Sequence, residues 1–175
     1  MRHSHLRHLD IKGYHQFITF RTYDSTDDYL KRVLGQNISN NKKQYEADIY
    51  LDTSKVGAYL NGEILTLLFN FLKSKDKILY DLTAFVIMPN HIHLLIKPLK
   101  KLSLTMQGIR GASAREINKL LNRKGKFWAS DYYDKVVRDE RQFELVYSYI
   151  KNNSLKLGEA KASLPRFYGI YEEEK

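Results

Sequence analysis

His91-Ile92-His93 is the part of this chain best suited to chemistry. Two apolar, strand-like runs flank it, Phe85–Met88 and Leu94–Ile96, with Met88-Pro89-Asn90 as the turn between them. Side chains alternate faces along a strand, so His91 and His93 point the same way while Ile92 and Leu94 enter the opposite layer. Two imidazoles side by side on a rigid strand suit one divalent cation. Two histidines on a half-exposed strand face would show the same spacing, and the triplet alone does not separate these readings.

A second group with chemical potential lies near the C-terminus, in Glu140–Asn153. At about 100° per residue, Phe143, Val146, Tyr147 and Ile150 fall in one stripe that should be the packed face. Tyr149 lies on its flank, and Asn153 follows four residues later on the same flank, where side chains are neighbours. A tyrosine hydroxyl and a carboxamide oxygen placed this way can converge on one point opposite the histidines. An ordinary flank tyrosine and a helix-end asparagine give the same pattern, whereas Tyr147 reads as core.

The elements that must position these groups follow from periodicity and turn chemistry. Tyr14–Tyr23 is rich in aromatic and β-branched residues and reads as a first strand. Ser25-Thr26-Asp27-Asp28 offers a helix start, with Tyr29, Leu30 and Val33 as a short apolar face. Gln36–Lys43 is polar and asparagine-rich, a loop by composition, and Gln44–Val56 fits either a strand or an extension of that loop. Leu60, Ile64, Leu67, Leu68 and Phe71 predict a helix from about Tyr59 to Lys73. After the histidine strands, Ser103 can cap a helix reaching about Leu121, and Asn122–Lys126 reads as a basic turn. A strand centred on Lys135-Val136-Val137 precedes the last helix, which begins near Asp139 or Glu140. Strand, helix, strand, strand, helix, strand, helix is an α+β order, with an antiparallel strand pair at the histidines and helices over one sheet face.

The chain's 175 residues and 43% hydrophobic content are enough for one compact core. A single domain over 1–175 is expected, with 1–10 a loose tail despite its own His3-Ser4-His5 triplet, and 36–58 an inserted or variable segment. No run approaches the ~20 apolar residues needed to cross a bilayer, and no apolar signal segment opens the chain, so a cytoplasmic protein is expected. Zero cysteines exclude disulfides, thiolate metal sites and cysteine nucleophiles. The net charge of +9 is concentrated: between Lys97 and Lys126, nine basic residues (Lys97, Lys100, Lys101, Arg110, Arg115, Lys119, Arg123, Lys124, Lys126) face one acid, Glu116. A basic stripe of this kind is the electrostatic footprint of a polyphosphate partner.

Three segments carry a family resemblance. Val86-Ile-Met-Pro-Asn-His-Ile-His-Leu-Leu-Ile96 resembles the signature of the HUH single-tyrosine transposases of small bacterial insertion sequences, and is especially similar to the REP-associated tyrosine transposase branch. Lys126–Glu140, with its tryptophan, Tyr-Tyr-Asp and mixed charge run, resembles a second block of that branch. Tyr149-Ile-Lys-Asn-Asn-Ser-Leu-Lys-Leu-Gly158 resembles its Tyr-Ile-x-x-Asn-Pro-Val-Lys-x-Gly block. Ser154 stands where the family usually has proline, Ala129 stands where glutamine often follows tryptophan, and the segment between about Gly35 and Tyr59 is longer than usual.

The resemblance implies a ferredoxin-like antiparallel sheet, single-stranded DNA cleavage and rejoining, and a divalent metal, Mg²⁺ or Mn²⁺. By position it makes His91, His93 and Asn153 metal ligands and Tyr149 a nucleophile that forms a covalent 5′-phosphotyrosine. Single-stranded or hairpin DNA is the expected partner, with no membrane and with a homodimer left open. The Lys97–Lys126 stripe would track its backbone, and Trp128, Tyr132 or Tyr133 would stack on bases. A transposase-derived hairpin binder without activity, a metal-dependent nuclease using water in place of tyrosine, and an RNA-binding module with a coincidental His-x-His are the alternatives.

Overall fold

A computed structural model describes residues 13–158 and 165–171. The expected loose tail at 1–10 lies outside the described residues. Five strands form one sheet: β1 (His15–Arg21), β2 (Tyr80–Ile87), β3 (His91–Pro98), β4 (Tyr133–Val137) and β5 (Phe167–Gly169), in the order β4-β1-β3-β2-β5 with every pair antiparallel. Among the described residues five α-helices join it: α1 (Asp28–Leu34), α2 (Asn40–Thr53), α3 (Gly62–Ser74), α4 (Leu102–Leu120) and α5 (Glu140–Asn153). The α+β class and the antiparallel histidine hairpin are as expected. β1, α3, β2, β3, α4 and β4 make a β-α-β-β-α-β unit, the ferredoxin-like arrangement.

The central strands β2 and β3 are buried on both faces, so the sheet needs two covers. One layer packs Ile18, Phe20, Ile92, Leu94 and Ile96 against α3 and α4, through Leu65, Leu68, Leu72, Met106 and Ile109. The opposite layer packs Phe17, Val86 and Leu95 under Ile150 of α5. β2 serves both layers through an irregularity between Leu82 and Ala84. Leu82 and Phe85 both face the α3–α4 layer although they are three residues apart, because the extra residue in the ladder resets the alternation. Each large apolar side chain buried here contributes about 1.5–3 kcal/mol.

The segment read as a loop at Gln36–Lys43 is corrected by α2, which starts at Asn40 behind an N-cap in which the Ser39 hydroxyl accepts from the Lys42 amide. Only Ala47, Asp48 and Leu51 of this helix are buried, too thin an apolar stripe to stand out in the sequence. α4 begins at Leu102, one residue ahead of Ser103, with Lys101 at the N-cap position and no side-chain cap hydrogen bond. α1 and α2 form a hairpin with its own small cluster of Leu30, Ala47 and Leu51.

Its neck is closed where the outgoing turn Thr22–Ser25 meets Gly57. The Thr22 hydroxyl donates to the Gly57 carbonyl at 2.8 Å. Gly57 has φ +67°, and a Cβ there would sit 2.5 Å from Thr22 Oγ1 and from the Ser25 amide nitrogen. Gly57→Ala combines a left-handed backbone with a steric clash and is expected to cost about 2 kcal/mol or more, read as a lowered midpoint in urea unfolding at constant slope.

Candidate active site

The histidines sit in the middle of the sheet, on the face that α5 covers. β3 pairs with β1 so that His93 lies opposite Thr19 and His91 opposite Arg21. Same-face neighbours in such pairs touch, and Thr19 Oγ1 is 2.7 Å from His93 Nδ1. His91 Nδ1 is 2.7 Å from Asn90 Oδ1, and the Asn90 amide spends its hydrogens on the carbonyls of Leu51 (3.0 Å) and Ser54 (3.2 Å). The Asn90 oxygen is therefore an acceptor, His91 Nδ1 carries the proton, and His91 Nε2 is left with a lone pair. Both rings are fully buried. Burial first, with the Lys156 cation second, pushes His91 down to about 3, and burial holds His93 well below the ordinary histidine value. Both are neutral, the state a metal ligand requires.

α5 brings Tyr149 to the same place. Its ring centroid is 5.2 Å from that of His93, edge to face, and 6.0 Å from that of Phe17. Asn153, one turn later, is buried, and its Nδ2 donates to the Tyr149 carbonyl at 3.3 Å. Ile150 and the partly buried Phe143, Val146 and Tyr147 form the packed stripe. The Tyr147 hydroxyl accepts from the Tyr171 amide and donates to its carbonyl, so it is engaged away from the histidines.

α2 supplies what the sequence did not disclose. The Tyr149 hydroxyl donates to Asp48 Oδ2 at 3.0 Å, and Gln44 Nε2 donates to the other Asp48 oxygen at 2.6 Å. Asp48, His91 and His93 each offer a ligand atom within 4.8 Å of the others. Asp52, one turn beyond Asp48, places Oδ1 3.7 Å from His91 Nε2 and accepts from Lys156 Nζ at 2.8 Å on its other oxygen. The Lys156 ammonium also lies 5.2 Å from the Tyr149 ring centroid. Two acids four residues apart were the available signal, but Gln44–Val56 read as a strand or a loop, where that spacing does not put two side chains on one face.

Four buried side-chain atoms here have no hydrogen-bond partner: His91 Nε2, His93 Nε2, Asn153 Oδ1 and Asp52 Oδ1. Orphaned buried polar atoms are costly, and the two imidazole nitrogens, with the Asp52 oxygen 3.7 Å from one of them, fit a divalent cation. Burial, partly offset by the Tyr149 and Gln44 hydrogen bonds, raises Asp48 to about 7. Burial and then the Asp48 charge raise the Tyr149 hydroxyl far above its usual range.

An acid whose folded pKa is raised contributes stability below its unfolded value and loses it as pH climbs through the folded one. In metal-free protein, Asp48→Asn should therefore gain melting temperature relative to wild type between about pH 4 and pH 7. A wild-type-minus-variant difference that stays flat with pH would contradict this.

The basic residues behave differently. α4 covers the Ile92–Leu94 side, so its exposed Arg115 and Lys119 lie across the sheet from the histidines. Lys100, Lys101, Lys124 and Lys126 are also exposed, and Lys97 is half-buried. Arg110 donates to the carbonyls of Ala129 and Ser130, and Arg123 pairs with Asp24 at 3.1 Å. Trp128 is corrected: it is 5% exposed, stacks edge-on with Phe20 and donates to Ser113, so it presents no face to a base. Tyr132 and Tyr133 are buried as well.

A family model described as "Transposase IS200 like" matches residues 53–153, more than half of the chain. The chain belongs to the IS200-like transposase family. Among solved structures it is similar to a REP-associated tyrosine transposase bound to a REP hairpin, at 18% identity and a TM-score of 0.54, over 94% of this chain and 82% of that one. It also matches a candidate transposase from Deinococcus radiodurans at 18% identity and a TM-score of 0.46, over 83% of this chain and 98% of that one. No match was found among the curated proteins. The matched region of this IS200-like transposase contains both histidines and Tyr149 and ends on Asn153, whereas Asp48 and Asp52 precede it. Among its described residues no helix is long and apolar enough to cross a membrane.

Proposed function

We propose that this cytoplasmic protein cuts and rejoins single-stranded DNA at hairpin-bearing sites, with Tyr149 as nucleophile and His91, His93 and Asn153 holding a divalent metal. The observation that carries this reading is the meeting of Tyr149 and the histidine pair within one chain, on the same sheet face, at 5.2 Å between rings. When bound, Mg²⁺ or Mn²⁺ supplies charge neutralisation at the scissile phosphate and at the departing oxygen. The remaining steps belong to the protein's own side chains.

Tyr149 Oη attacks phosphorus as the P–O3′ bond breaks, leaving a 5′-phosphotyrosine and a free 3′-hydroxyl. The phenolic proton leaves along the hydrogen bond that Asp48 Oδ2 already accepts, and a proton is taken up by the 3′-oxygen. Attack by a second 3′-hydroxyl reverses the step and joins strands without ATP, because the ester bond is conserved. A tyrosine fixed on a helix and walled by α2 requires a splayed phosphate, which single strands present more readily than a duplex. The exposed cations Lys100, Lys101, Arg115, Lys119, Lys124 and Lys126 are available to the hairpin's backbone, whereas Lys97 alternates onto the histidine side of β3, near His15 and Phe143.

The test is incubation of the protein with labelled hairpin-bearing single-stranded DNA and Mn²⁺, followed by a denaturing gel. A metal-dependent covalent complex is expected. Binding without a complex would favour a hairpin binder that does not cut, and cleavage without a complex would favour a water-using nuclease.

A further inference from the structure

We propose that Asp52 of α2 is a fourth ligand of the metal, so that the site is a His-His-Asn-Asp set and not the three neutral ligands implied by the family resemblance. The inference rests on the metal reading given under Proposed function and concerns a residue just outside the matched region, 53–153.

The geometry around Asp52 Oδ1 is the reason. It lies 3.7 Å from His91 Nε2, and both atoms are buried without a hydrogen-bond partner. His91 Nδ1 carries the ring proton toward Asn90, so a carboxylate lone pair faces an imidazole lone pair. The separation is too long for a hydrogen bond, which a protonated carboxyl would otherwise provide. Two unscreened lone pairs in a buried site repel, and a cation between them removes the conflict. Donors bound to one ion at roughly 2.0–2.2 Å and separated by octahedral to tetrahedral angles stand roughly 2.8–3.6 Å apart, close to the separation found here.

The carboxylate is also oriented for this role. Lys156 Nζ holds Oδ2 at 2.8 Å, leaving Oδ1 to face His91. Such outer partners are what hold metal-ligating carboxylates in place. Asp48 is the competing acid, since its carboxylate approaches both imidazoles. Its two oxygens already accept from Gln44 and Tyr149, however, which leaves each a second lone pair but satisfies both. Asp52 Oδ1, which nears His91 and falls outside the 4.8 Å cluster with His93, has no hydrogen bond at all. α2 thus divides its two acids one turn apart: Asp48 for the tyrosine hydroxyl and Asp52 for the cation. A carboxylate in the set shifts preference toward the harder ions, Mg²⁺ and Mn²⁺.

The experiment is titration of the full-length protein with MnCl₂ alone, followed by calorimetry and by electron paramagnetic resonance of free Mn²⁺, near neutral pH. Asp52→Asn keeps the shape and removes the charge, and is expected to weaken Mn²⁺ binding about ten-fold or more. Its metal-free melting temperature should not fall. Lys156→Met removes the carboxylate's outer partner but no ligand, and should weaken Mn²⁺ binding measurably but by less than Asp52→Asn does. Equal Mn²⁺ affinity in wild type and Asp52→Asn would overturn the inference while leaving the nucleophile and histidine assignments standing. A loss in Lys156→Met as large as that in Asp52→Asn would also overturn it, because the effect would then come from the seating of α2. No Mn²⁺ binding by wild type would bring down the metal reading itself, and this inference with it.

Discussion

Tyr149→Phe protein is expected to bind a hairpin-bearing oligonucleotide normally and to leave no covalent complex on a denaturing gel. The substitution removes one oxygen, the atom proposed to attack phosphorus, so adduct formation should fall by about 10⁴-fold or more. Tyr147→Phe provides the internal control. Its hydroxyl bonds the backbone of Tyr171, so it should change the seating of the C-terminal segment and not the chemistry. Tyr149→Phe also strips Asp48 Oδ2 of its donor, leaving a buried carboxylate oxygen unpaired. That should cost about 1–3 kcal/mol, more above the titration of Asp48 near pH 7 than below it. A Tyr149→Phe protein that still forms the adduct while Tyr147→Phe does not would reverse the assignment.

Replacing either histidine should have the second largest effect. His91→Ala or His93→Ala removes a lone pair that has no other partner in the fold, and metal-dependent adduct formation should drop by about 10³-fold, equivalent to about 4 kcal/mol of transition-state stabilisation. Chelation of the wild-type protein should reproduce that loss reversibly. The same histidines predict an acid sensitivity of opposite sign to Asp48. A depressed pKa contributes stability above the unfolded value, here 6.5, and loses it as pH falls toward about 3. Metal-free wild type should therefore lose stability through that window, because the unfolded chain takes up protons on these imidazoles that the buried neutral rings do not. His91→Gln, which does not titrate, should lose less, as read from melting temperatures across the same range.

Most of what positions the site was legible because it rests on strong local patterns. The hairpin around Pro89-Asn90 was carried by two short apolar runs and a turn, and the orientation of His91 and His93 followed from strand alternation. The stripe Phe143, Val146, Tyr147 and Ile150 set the rotation of α5, which puts Tyr149 on the flank that meets His93, with Asn153 buried one turn along. α2 was opaque for a physical reason: a helix that buries little apolar surface leaves no periodic trace, and two of its acids are spent on the site instead of on solvent. Trp128 misled because a tryptophan beside basic residues reads the same whether it packs inward or outward. Only its contacts with Phe20 and Ser113 separate the two. The basic stripe was read correctly as a concentration of charge, yet its side of the sheet depended on which layer α4 covered.

The central claim is that the Tyr149 hydroxyl is the atom that joins DNA. The most direct measurement is to form the Mn²⁺-dependent complex, digest protein and DNA, and sequence the modified peptide by tandem mass spectrometry. Cleavage after Arg141 and Lys151 releases a peptide containing both Tyr147 and Tyr149, so fragmentation distinguishes them directly. A nucleotide phosphate on Tyr149 is the predicted result. The same mass on Tyr147, or on any residue away from His91 and His93, would contradict the account.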